Sequence, residues 1–96
     1  MNKEEFKAKA NQRIDEVSAK INELKAKKEA AQDDAETKLE VAISNLESKK
    51  EEMKSSLKEF QNASEEKLTE FESAFTSASE SFKEGFSEIS KVFSNS

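Results

Sequence analysis

A chain of 96 residues in which 39% are charged and only 33% hydrophobic can bury one modest core, so it is read as a single domain. It has no cysteine and no histidine, which excludes a disulfide framework and a thiolate metal site and removes the commonest general acid/base and metal ligand. The net charge of -5 is uneven: residues 1–59 hold 13 basic and 14 acidic side chains, residues 60–96 hold 3 and 7, and an acidic half of this kind argues against nucleic acid and against unaided attraction to an anionic bilayer.

Proline is absent and Gly85 is the only glycine, whereas a globular domain with several tight turns uses more of both. The bias toward Glu, Lys and Ala, with periodic Leu, Ile and Phe, reads as long helix. The expected fold class is therefore all-α, with long amphipathic helices in a coiled coil or an elongated bundle. The alternative is a monomeric three-helix bundle with turns near 32–34 and 61–64. Residues 1–60 form a heptad-like part and residues 61–96 an acidic, phenylalanine-rich part.

In chain order, Asn2 and Glu5 stand at N-cap and N3 spacing at the start of a first helix. The charges of Met1 to Ala10 alternate without an apolar core, unlike a signal peptide, and no apolar run approaches the ~18 residues of a membrane span. A cytoplasmic chain is expected. Phe6 begins an apolar stripe that continues through Ile14, Val17, Ile21 and Leu24 at steps of three and four. Beside it, Glu5 with Lys9, Glu16 with Lys20 and Glu23 with Lys27 are favourable i,i+4 pairs, the signature of a solvated face.

From Ala26 to Ala35 the large side chains vanish, which makes this either a slim section of rod or a turn. Leu39, Ala42, Ile43 and Leu46 resume the stripe, and Met53, Leu57 and Phe60 carry it on. Asp33 with Glu36 and Asn62 with Glu65 repeat the N-cap pairing of Asn2, which would mark out three helices of about 28 residues. With no glycine or proline at either corner, continuous helix across at least one of them is expected.

The C-terminal segment carries the strongest pattern. Phe60, Phe71, Phe82 and Phe93 stand eleven residues apart, Phe75 and Phe86 share that interval, and so do Leu57 with Leu68 and Ala78 with Ile89. Eleven residues make three turns of about 3.67, so a helix returns each phenylalanine to nearly the same face. Eight of the last 24 residues are serine, and helix propensity alone does not hold such a segment; packing of the phenylalanines must.

The run Ile14 to Lys27, the central Leu46 to Met53 and the closing Phe71 to Phe93 amphipath resemble the small Ala/Lys/Glu-rich coiled-coil proteins of bacteria described as stress-response proteins. That family tends to carry tryptophan in its C-terminal amphipath, where this chain has phenylalanine, and alanine where this chain has serine. The resemblance implies a cytoplasmic, non-catalytic helical protein.

Acidic pairs such as Asp33–Asp34 and Glu65–Glu66 lack the loop glycine and spaced oxygens of an EF-hand, and a helical rod offers no cleft to split the pKa values of paired carboxylates. No catalytic, cofactor-binding or metal-binding residues are expected, and no cofactor or small-molecule substrate. The residues expected to carry function form a helix-packing interface: Ile14, Val17, Ile21, Leu24, Leu39, Leu46, Leu57, Phe60, Leu68, Phe71, Phe75, Phe82, Phe86, Ile89 and Phe93. A single helix of 90 residues would extend about 135 Å and leave its aromatic stripe exposed, so the chain must fold back or assemble. The expected partner is a second copy or another helical protein, and the expected function that of a non-catalytic scaffold. The alternative is an amphipathic binder of lipid or another hydrophobic surface, through the eleven-residue repeat.

Overall fold

The computed structural model describes residues 2–94, with side chains through Val92. Three helices, α1 (Lys3–Ala30), α2 (Asp33–Asn62) and α3 (Leu68–Ser94), run up, down and up, with one 3₁₀ turn at Glu65–Lys67 before the last. They lie side by side in a body of 49 × 18 × 17 Å, about the length of one 30-residue helix.

Asn2 starts α1 as its spacing predicts: the Glu5 backbone N–H donates to Asn2 Oδ1 at 2.8 Å. The return bond differs from a capping box, because the Asn2 side-chain amide donates to Glu5 Oε1 at 3.4 Å. The other two pairings do not act as caps. Gln32 holds the N-cap position of α2 without a side-chain bond, and Asp33 is already the first helical residue, at φ 56°. Asn62 ends α2 rather than starting the next helix.

Helix runs continuously across neither corner. At each, two extended residues reverse the chain: Ala31 and Gln32 after α1, Ala63 and Ser64 after α2. The Ala31 N–H donates to the Lys28 carbonyl and the Ala63 N–H to that of Phe60, so each final turn tightens without a left-handed residue at its end. The second reversal needs no left-handed residue, and at the first Asp33 rather than a glycine takes the left-handed position, so the corners lack the expected punctuation.

Folding back turns the apolar stripes toward one another. The core joins Phe6, Ala10, Ile14, Val17, Ile21 and Leu24 of α1 to Leu39, Ile43, Leu46, Met53, Leu57 and Phe60 of α2, and these to Phe75, Ala78, Phe82 and Ile89 of α3. Among the described residues no buried polar or charged side chain interrupts it. One end is closed by rings from all three helices: Phe6 lies 4.5 Å from Phe60 and 5.6 Å from Phe75 between centroids, the second pair edge-on. The exposed pairs Lys25–Glu47 at 3.0 Å and Lys28–Glu40 at 3.2 Å cross between α1 and α2 and contribute little individually.

Candidate interaction surface

The residues expected to form the packing interface fall into three groups. Ile14, Val17, Ile21, Leu24, Leu39, Leu46, Leu57, Phe60, Phe75, Phe82 and Ile89 are buried within the chain. Leu68, Phe71 and Phe86 are half-buried against that core. The side chain of Phe93 lies outside the described residues. Phe6, Ala10, Ile43, Met53 and Ala78 complete the same core; Phe6, Ile43, Met53 and Ala78 were legible from the periodic positions, whereas Ala10 was not, because alanines signal burial weakly in a chain that also uses them on its surface.

Because α1 and α2 cover the phenylalanine face, that face is no longer the main apolar surface on offer. Of the large hydrophobic side chains described, the exposed ones are Val41 at 57% and Val92 at 47%. Both line one groove of about 440 Å³ between α2 and α3. Its floor is Ala42, Leu46, Gly85 and Ile89, and its edges are Thr37, Lys38 and Asn45 on α2 and Glu88 on α3. Gly85 permits the close approach there, since a Cβ at this position would stand 3.0 Å from Leu46 Cδ2. Periodicity did not point to Val41, which lies beside the buried stripe residues Leu39 and Ile43 and the half-buried Ala42 and faces outward once α1 and α3 have taken the other sides of α2.

The opposite seam, between α1 and α3, is covered by charge. Lys20 places its ammonium 4.6 Å from the centre of the Phe86 ring, which stacks on Phe82 with centroids 6.3 Å apart. Lys20 therefore shields a half-buried ring instead of pairing with Glu16; of the three i,i+4 pairs expected on α1, only Glu23–Lys27, at 4.0 Å, is formed among the described residues. A second cleft, of about 570 Å³ between α1 and α2, is edged by Lys25, Lys28, Glu29, Glu36, Glu40 and Glu47. Its charges largely pair with one another, as a solvated interhelical surface does. No group of three or more acidic side chains with metal-binding placement occurs among the described residues.

Comparison of the chain with protein-family models, curated proteins and solved structures finds no match. No helix among the described residues is long and apolar enough to cross a membrane.

Proposed function

We propose that this protein is a non-catalytic helical scaffold that acts in the cytoplasm by self-association through the apolar surface its bundle leaves open. The observation that carries the reading is the pair Val41 and Val92: the two most exposed large hydrophobic side chains described lie in a single groove rather than scattered over the surface. The non-catalytic part rests on composition, because a chain without histidine or cysteine lacks the residues most often used as general base or nucleophile at neutral pH. The stress-related setting implied by the resemblance belongs to the same proposal.

Light scattering coupled to size-exclusion chromatography, with circular dichroism on the same fractions, tests it. The expected result is a helical species whose mass rises with concentration from one chain to a small multiple. A helical monomer at every concentration would reject self-association.

A second reading, binding to lipid or another hydrophobic surface, is favoured by α3 itself, whose phenylalanine face lies opposite a face rich in serine and glutamate. It requires α3 to leave the bundle, since Phe75 and Phe82 are only 3% and 2% exposed. Flotation with neutral phosphatidylcholine vesicles separates the two readings: vesicle binding with newly protease-sensitive α2–α3 junctions supports the second, and a chain that stays in the aqueous fraction rejects it.

A further inference from the structure

We propose that the cleft between α1 and α3 binds a small amphiphilic anion, a carboxylate on a medium-length apolar chain. Arg13, Ser79 and Lys83 hold the carboxylate, and the chain lies along Val17, Phe82 and Phe86. The site is separate from the α2–α3 groove and does not depend on self-association.

The two walls of the cleft match in spacing. On α1 it is lined by Arg13, Glu16, Val17 and Lys20, and on α3 the same steps of three, one and three recur from Ser79 to Phe86. The two helices run in one direction and Lys20 lies over Phe86, so Arg13 is nearly level with Ser79 and Val17 with Lys83. Arg13 and Lys83 therefore differ by about 6 Å in height, a separation that two long side chains close when both bind one carboxylate. The half-buried Ser79 adds a hydroxyl donor at the same end.

Charge selects the head of the ligand. Three cations and one acid line this cleft, although the whole chain has a net charge of -5. Arg13, Glu16, Lys20 and Lys83 form no ion pair among the described residues, and a pair made by Glu16 would still leave two positive charges. The α1–α2 cleft is the contrast, because there Lys25 and Lys28 are answered by Glu47 and Glu40. An anion between Arg13 and Lys83 relieves their mutual repulsion.

The floor selects the tail. Val17 and Phe82 are buried beneath the cleft and Phe86 is half-buried, while the Lys20 stem offers apolar cover at that end. At about 270 Å³ the cleft lies just below the ~300 Å³ at which drug-sized pockets begin, which suits a small amphiphile. The acidic chain opposes approach to an anionic bilayer, so the fitting anion is a free molecule rather than a lipid headgroup.

The test titrates the full chain with decanoate below its micelle concentration, by calorimetry and by NMR of the phenylalanine rings. Saturable binding of one decanoate per chain is expected, with contacts from its methyl end to the Phe86 ring and unchanged circular dichroism. The doubly substituted Arg13→Gln, Lys83→Gln protein should keep the parent's circular dichroism, since both side chains are exposed, and bind decanoate about tenfold more weakly or worse. Decanol, which lacks the charge, and acetate, which lacks the chain, should each lose at least about tenfold in affinity. Unchanged affinity in the double variant, or equal affinity for decanol, would overturn the assignment of the head. Contacts from decanoate to Val41 and Val92 in place of Phe86 would overturn the cleft. Absence of saturable decanoate binding, whether or not vesicles of phosphatidylglycerol recruit the chain, would overturn the proposal as a whole.

Discussion

Gly85 of α3 and Leu46 of α2 meet so closely that a Cβ on the glycine would stand 3.0 Å from Leu46 Cδ2. The contact lies on the floor of the groove between α2 and α3. Replacing Gly85 with alanine adds up to about 1 kcal/mol of helix propensity and pushes against the tip of a flexible side chain that borders open groove. Gly85→Ala is therefore expected to stabilise the fold by up to about 1 kcal/mol in chemical denaturation. Gly85→Val, whose branches reach further into Leu46, is expected to destabilise it. An alanine variant weaker than the parent would show that Leu46 has no room to yield.

Phe82 and Phe71 belong to one eleven-residue series yet occupy different environments. Phe82 is 2% exposed, and Phe82→Ala is expected to cost about 3–5 kcal/mol, a large part of the stability of so small a domain. Phe71 is half-buried at the edge of the core, and Phe71→Ala is expected to cost about 1–2 kcal/mol. Urea unfolding of the two single variants checks the difference. Equal losses would mean that the periodic face, rather than its position in the bundle, governs the energy.

Asp33 begins α2 at φ 56°, in the left-handed region that aspartate tolerates and β-branched residues resist. Asp33→Val is expected to lower stability by about 1–2 kcal/mol, whereas Asp33→Gly is expected to be neutral or stabilising by up to about 1 kcal/mol. Thermal melts of both variants decide. If valine were tolerated, the corner would have to form with a different backbone.

Asn2 binds the Glu5 amide at 2.8 Å and is the one side-chain cap found among the described helix starts. Asn2→Ala is expected to cost about 1 kcal/mol, and Asn2→Ser to retain most of it. Hydrogen exchange should show the loss as faster exchange in the first turns of α1, where Phe6 anchors the aromatic end of the bundle.

The spacing of Ile14, Val17, Ile21 and Leu24, and the eleven-residue phenylalanine series, determined without any structure that the chain is helical and which side of each helix is apolar. Side-chain direction on a helix depends only on residue number and a near-constant turn, so a linear sequence carries that information in full. Two of the three capping pairs, Asp33 with Glu36 and Asn62 with Glu65, marked the corners to within a few residues, although only Asn2 caps a helix. Turns near 32–34 and 61–64 were legible as the alternative reading, but continuous helix across at least one was expected because neither corner carries glycine or proline: two extended residues make each, and Asp33 takes the left-handed position at the first. What covers the phenylalanines was likewise undetermined by periodicity: a stripe can be buried by the same chain or by another with the same local pattern. Only the tertiary structure decided that α1 and α2 cover Phe75 and Phe82, that Lys20 shields Phe86, and that Val41 and Val92 face one open groove. Those outcomes depend on the mutual rotation of three helices, which is set by how the whole core packs rather than by any single segment.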